Sequence, residues 1–266
     1  MRKTFTAVVD HFRELYRYRV LVQSLVVREV KARYRGSALG FFWTLANPLL
    51  LLIVYRFVFT IFTRAVDKTN YSVFVFVGIL PWLWLSGSIT NGTTSIAQGG
   101  NLITRVCMPP QVLPAVAVLS NLVNFLFALP IAIVAAAAYR IYPSPALAFL
   151  PLVVLIELGF VYGLALLLAT LTVRFRDIQF LVQNLMMVWF FLTPIAIPLA
   201  AVPEPYRTLM LVNPATPVLV PFQEILFDRS VPNPLYLALG AAWTLVVVIA
   251  AVHVFEARRG SLAEEI

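Results

Sequence analysis

The 266-residue chain has a single cysteine, Cys107, and two histidines, His11 and His253. One cysteine forms no intrachain disulfide and no cysteine-rich metal site. The histidines stand far apart without ligand spacing, so no metal centre is expected. Charge is scarce as well: 12% of residues are charged, against about 25% in soluble domains. No G-x-x-x-x-G-K-[ST] phosphate loop occurs, so no nucleotide or other cofactor is expected on this chain itself. The few polar residues offer no nucleophile–base–acid grouping. What is abundant is apolar: 61% of residues are hydrophobic, where soluble proteins carry about 45–50%. A soluble fold of this size cannot bury that much apolar surface and still cover itself with polar groups. The chain belongs in a bilayer, and its net charge of +8 reads as topology and anionic-lipid attraction rather than nucleic-acid binding.

Uncharged runs give the membrane map. A helix needs about 20 residues to cross about 30 Å of hydrocarbon. Six spans are expected, at about 38–62, 71–88, 112–138, 149–173, 180–202 and 235–255. With both termini placed in the cytoplasm, the inner segments hold 14 Lys or Arg and the outer ones 5, with Arg56 inside a span. Cationic loops resist translocation, which favours this orientation.

Residues 1–35 are too charged for a signal peptide. Phe5, Val8, Val9, Phe12 and Leu15 recur at helical spacing, with Arg2, Asp10, Arg13 and Arg17 marking a polar side. This describes a basic amphipathic helix on the cytoplasmic membrane surface or packed on a partner, preceding a transmembrane domain over 36–266. Of 18 prolines, 9 lie between Pro194 and Pro234. Proline removes a donor and breaks helices, so the outer loop between spans five and six reads as short re-entrant helices. Small residues at Gly36-x-x-x-Gly40 and Gly159-x-x-x-Gly163 have the spacing of close helix contacts; for the first, a break between the surface helix and the span is the alternative. Asn91-Gly92-Thr93 matches a glycosylation acceptor but falls toward the cytoplasmic side and is read as chance.

Several local features form an ordered set. Arg28-Glu29-Val30-Lys31-Ala32-Arg33-Tyr34-Arg35-Gly36 precedes Trp43 and Pro48, and Asn101-Leu102-Ile103-Thr104-Arg105-Val106 leads to Pro109. Arg174-Phe175-Arg176-Asp177 follows the fourth span, Thr193-Pro194-Ile195 ends the fifth, and Asn213-Pro214 lies in the outer loop. In this order and spacing, over nearly the whole chain, the sequence resembles the permease subunit of ABC-2-type polysaccharide exporters, which move O-antigen or teichoic-acid chains on a lipid diphosphate.

The resemblance implies an all-α integral membrane fold: six transmembrane helices per protomer, an N-terminal amphipathic interface helix and outer gate helices. It implies a homodimer in the bacterial cytoplasmic (inner) membrane, two ATP-binding cassette subunits carrying ATP and Mg, and an undecaprenyl-type lipid-linked polysaccharide as cargo. The ATPase-coupling positions are then Asn101, Leu102, Ile103, Arg105 and Val106, whose alternative reading is an ordinary cytoplasmic turn. ATP hydrolysis is expected on the separate subunit, not on this chain.

The remaining candidates come from physical chemistry. Arg28, Lys31, Arg33, Arg35, Arg174 and Arg176 line the cytoplasmic side, either as topology charges or as partners of the ATPase or a diphosphate, for which Arg is suited to bidentate contact. Arg56 and Glu157 are intramembrane charges, which cost about 2.5–3.5 kcal/mol each on insertion scales. They are expected to face a polar interior, with mutual pairing and snorkelling of Arg56 as alternatives. Trp43, Tyr55, Phe59, Trp189 and Phe190 are candidate conduit aromatics, since sugar faces stack on flat rings; packing and interfacial anchoring compete with that role. Alternative functions are an ABC-2 exporter of a lipid or drug and an integral-membrane polyprenyl-phosphate enzyme. The enzyme would need more carboxylates than the one, Asp177, that lies beside the membrane.

Overall fold

The computed structural model describes residues 2–33, 35–36, 42–43, 46, 49–51, 53–54, 57, 70–100, 102 and 108–265, and among these no strand occurs. The chain starts with α1 (Arg2–Arg17) and α2 (Arg19–Arg33), joined by a break at Tyr18. Three long helices follow: α3 (Tyr71–Gln98), α4 (Val112–Ala138) and α5 (Leu150–Arg174). Then come α6 (Ile178–Phe191), α7 (Glu204–Val212), α8 (Ala215–Leu226) and the long α9 (Pro234–Glu265).

Helix α3 is the hub. It is apolar on every side from Val73 to Leu85, and residues along its whole length are buried. Such a helix sits inside a bundle rather than on its rim. It packs on α4, α5, α6 and α8, while α5 pairs with α9. Glycine permits the closest of these approaches. A Cβ at Gly92 would stand 2.6 Å from the Cβ of Ala165, and one at Gly163 would stand 2.9 Å from Val247. The Gly159–Gly163 spacing does therefore mark a tight seam, between α5 and α9.

The bundle has two unlike ends. The basal end holds α1, α2, the start of α4 and the last turns of α3, α5 and α9. There Val22, Leu25 and Val26 of α2 pack on Met108, Val112 and Val116, and Ala7, Val8 and Leu15 of α1 pack beside Leu166, Ala169 and Phe255. The distal end holds α7, α8 and the turn at Arg140, which takes a left-handed φ of 66° to close α4.

Among the described residues, four helices are long and apolar enough to cross a membrane: Tyr71–Gln98, Val112–Ala138, Pro145–Arg174 and Pro234–Gly260. The pair Tyr206–Val212 and Ala215–Leu226, bent by 101°, makes a fifth if counted as one crossing. Six spans are thus not reproduced among the described residues. Most of the interval 38–62 lies outside them. The interval 180–202 differs for a physical reason: α6 stops at Phe191 and is 14 residues long, about 21 Å at 1.5 Å per residue. Pro194 cannot donate a helical hydrogen bond and disfavours helical geometry before it, although the uncharged run continues past it. The second span is also longer than its apolar core, extending from 88 to Gln98.

Candidate functional site

Polar groups gather at three places. The first is a knot at the basal end. His11 lies on the inner face of α1, 1% exposed, with Nε2 2.7 Å from the Tyr162 hydroxyl of α5. Its ring meets Phe255 of α9 edge-on at 5.5 Å. One turn further, Glu14 accepts hydrogen bonds from Arg259 of α9 at 2.7 Å and from Gln111, just before α4, at 2.8 Å. Burial and the Arg259 charge pull the His11 imidazole down to about 4, against an opposing pull from Glu14. Burial alone would raise the Glu14 carboxyl, but hydrogen bonds from Arg259 and Gln111 outweigh it and hold it below its ordinary value. Phe12 and Tyr16 of the same helix face outward and are exposed. The apolar side of α1 is thus only partly covered by the bundle.

The second is a cavity of about 560 Å³ between α2, α3 and α4, lined by Arg28, Glu29, Arg33, Asn91, Gln98 and Leu102 among others. The basic cluster predicted from sequence is divided by it. Arg28 and Arg33 border the cavity, while Lys31 and Arg35 line, with Arg28, a separate surface groove of about 460 Å³. Arg33 also donates to the Asn121 side chain at 3.3 Å. Arg174 and Arg176 stand exposed at the turn between α5 and α6 and do not join the cavity lining. The Arg174 guanidinium lies over Phe175, 5.8 Å from the ring centre. Of the predicted coupling positions, Leu102 bonds back to Gly99 and borders the cavity; Asn101, Ile103, Arg105 and Val106 lie outside the described residues.

The third is the corner between α7 and α8. The Asn213 amide donates to the Leu192 carbonyl and the Thr193 hydroxyl, both at 3.0 Å. Its oxygen accepts from the Trp189 indole at 2.7 Å and from the Ala215 backbone at 3.0 Å. Thr193-Pro194 and Asn213-Pro214, separate features in the sequence, therefore form one joint. Trp189 and Phe190 pack edge-on against Trp82 of α3 at 6.1 and 5.7 Å, which makes Trp82 part of an aromatic cluster that sequence reading missed. Gln223 of α8 donates to the Ile195 carbonyl at 3.0 Å, fitting over Gly78, where a Cβ would collide with its amide.

Glu157 is fully buried in α5, and neither carboxylate oxygen has a hydrogen-bond partner among the described residues. Arg56, its predicted partner, lies outside them, as do Tyr55 and Phe59. Trp43 is described and 38% exposed. Also among the described residues, no group of three or more His, Cys, Asp or Glu is placed to hold a metal ion.

Comparison with known proteins places this architecture. The chain is 44% identical over 256 residues to the O-antigen export system permease protein RfbA of Myxococcus xanthus, covering 96% of this chain and 98% of that protein. It is 28% identical to RfbA of Klebsiella pneumoniae over 238 residues, 89% of this chain and 91% of the relative. It is also 23% identical to the polysialic acid transport protein KpsM of Escherichia coli over 249 residues, 92% and 95% of the two chains. The family model described as ABC-2 type transporter matches residues 20–227. A bundle of membrane-length helices with a bent distal pair, bearing a polar cavity at one end, is thus a multi-pass membrane protein that belongs to the ABC-2 type transporter family.

Proposed function

We propose that the chain is the membrane permease of an ATP-driven exporter of lipid-linked polysaccharide of the O-antigen class. The observation that carries this is the 44% identity, over almost the full length of both chains, to a protein named as an O-antigen export permease. In this reading the basal end faces the cytoplasm of a bacterium and both termini lie there, in the inner membrane. Six segments cross. The first is about 38–62, and the short α6 is completed by the α7–α8 corner, which acts as an outer gate.

Two copies pair, and a separate cassette subunit binds ATP and Mg on each. The segment Asn101–Val106 is the contact with that subunit. It lies between the end of α3 and the start of α4, so pushing on it moves both helices and the cavity between them. Arg28 and Arg33 attract a diphosphate there, with Lys31, Arg35, Arg174 and Arg176 adding charge at about 1 kcal/mol per residue near an anionic surface. Trp43, Tyr55, Phe59, Trp189 and Phe190 are proposed to line part of the path. Glu157 is proposed to face Arg56 or a polar passage, since an isolated carboxylate in an apolar core is costly. Teichoic-acid cargo, or a lipid or drug, is the second reading of the same architecture.

The experiment is affinity purification of the tagged chain from its native membrane with mass spectrometry, paired with surface-glycan staining of a strain lacking it. A stoichiometric ATPase bearing a phosphate loop, released by Asn101→Ala or Arg105→Ala, together with loss of surface glycan in the deletion strain, is the expected result. A chain that is stably alone in mild detergent, or surface glycan unchanged without it, ends the proposal.

A further inference from the structure

One wall of the basal cavity is not accounted for by attraction of an anion. From α3 it receives Asn91, Thr94, Ser95 and Gln98, at spacing i, i+3, i+4 and i+7, which is one face of a helix. The opposite face of those same turns, Gly92, Thr93 and Ile96, is buried. The close contact of Gly92 with Ala165 holds the polar stripe at a fixed depth from the packed core. The Asn91 and Gln98 amides are exposed and without partners among the described residues. Thr94 and Ser95 donate to the Asn91 and Gly92 carbonyls, which leaves their oxygens free to accept.

Sharing the cavity with this stripe are Arg28, Glu29 and Arg33 of α2, with Leu25, Leu113 and Val116 supplying apolar surface; the Arg33 guanidinium also donates to Asn121. A phosphate or an anionic lipid headgroup is satisfied by the cations alone. Paired donors and acceptors beside a carboxylate match a polyhydroxylated ring, whose every hydroxyl both gives and takes a hydrogen bond. A volume of about 560 Å³ falls within the size of ordinary small-molecule sites, about 300–1,000 Å³.

We infer that this cavity takes a glycosyl diphosphate: Arg28 and Arg33 meet the phosphates, while Asn91, Thr94, Ser95 and Gln98 read the hydroxyls of the sugar attached to them. The inference rests on the exporter reading and deepens it, since it makes the first sugar of the lipid-linked chain a recognised element. It also makes the α3 stripe the place where specificity for that sugar is set.

The test is calorimetric binding to the purified full chain, with whatever subunits accompany it, in nanodiscs of neutral lipid. The probes are geranyl diphosphate and its glucosyl derivative, with phosphatidylglycerol as competitor. The glucosyl probe is expected to bind at least about tenfold tighter, a difference of about 1.4 kcal/mol. Asn91→Ala with Gln98→Ala should erase that ratio and leave geranyl diphosphate binding unchanged. Arg28→Gln should weaken both probes. Alanine favours the helix at these exposed positions, so folding is not at stake; Gln98→Glu, which sets a negative charge against the diphosphate, gives a second check by weakening both probes.

Equal binding of the two probes overturns the inference, as does a ratio that survives the double substitution. Displacement of both probes by phosphatidylglycerol without discrimination assigns the arginines to lipid headgroups and overturns it too. Persistence of the tenfold ratio in a chain that brings no ATPase and supports no surface glycan separates failure of the exporter reading from failure of this one.

Discussion

Glu14 and Arg259 meet at 2.7 Å although 245 residues separate them in sequence. The same carboxylate holds Gln111 with its other oxygen, so a single side chain joins the N-terminal helix, the start of α4 and the end of α9. Arg259 is also 3.6 Å from Glu256 of its own helix, which keeps the guanidinium oriented.

Breaking that junction should loosen α1 before it unfolds the bundle. Both charged partners are partly exposed, so the ion pair itself contributes about 1 kcal/mol or less. Glu14→Ala should lower the melting temperature modestly and speed tryptic cleavage at Arg13, Arg17 and Arg19. Arg259→Lys, which keeps the charge, should give a smaller effect. Unchanged proteolysis in Glu14→Ala would mean that α1 is secured by its apolar contacts alone.

His11 gives stability a pH dependence of defined sign. Its imidazole is neutral when buried, titrating at about 4 in the folded chain and at about 6.5 unfolded. The unfolded chain therefore binds the extra proton between those values. Stability is full above about pH 6.5 and falls as pH drops toward 4, by up to about 3 kcal/mol. That net shift already includes an opposing pull from Glu14 and a reinforcing one from Arg259. The depressed Glu14 carboxyl adds a second loss as pH falls below its ordinary value. Thermal melts from pH 7.5 to 4.5 should decline in the parent chain and flatten in His11→Phe; parallel curves would exclude His11 as the source.

Asn213 should be the most sensitive single position of the distal corner. Leucine there strands the part-buried Trp189 indole and takes the amide donor from the buried Thr193 hydroxyl, and each unsatisfied buried group costs about 1–3 kcal/mol. Asn213→Leu is expected to destabilise more than Trp189→Phe, which removes one of the four bonds. The reverse order in melting temperature would show that the indole packing on Trp82, not the amide, holds the corner.

Two glycines should respond in opposite directions. Gly92→Val drives a side chain into Ala165 and should cost about 1–3 kcal/mol through overpacking. Gly260 lies in α9 with nothing within 4 Å of a built Cβ, so Gly260→Ala should add about 0.5–1 kcal/mol. Chemical denaturation in detergent separates the two; a loss on Gly260→Ala would reveal a close neighbour at that site.

The helical, membrane-embedded class of this chain was readable because an uncharged run and a membrane-length helix are nearly the same object. The run 112–138 and helix α4 share their limits. The correspondence fails at 180–202, where composition stays apolar but Pro194 ends the hydrogen-bond ladder; hydropathy does not register backbone donors. Arg28 and Arg33 were legible as charges, but the division that leaves Arg33 in the cavity, Lys31 and Arg35 in the groove and Arg28 bordering both depends on how α2 faces α3. The knot had a signal that went unused: His11 and Glu14 fall on the α1 face that carries Val8 and Leu15, where unpartnered polar groups are out of place. Asn91 to Gln98 also repeats at helical spacing, yet it lay past the apolar core that defined the span. The four-way Asn213 joint depends on tertiary approach, and an Asn-Pro pair announces only a turn.

The knot between α1 and α9 sets an order on synthesis. Glu14 leaves the ribosome long before Arg259 does. At about 5–20 residues per second, the separation of 245 positions takes about 12–50 s. During that interval α1 has neither Arg259 nor Phe255 to bind, and its inner face can meet only the earlier partners Gln111 and Tyr162 with the α5 surface around Leu166 and Ala169. Closing the knot is thus a late step of biogenesis, made when the last helix has been delivered, and an arrested chain that stops short of α9 would expose the His11 face to quality-control proteases.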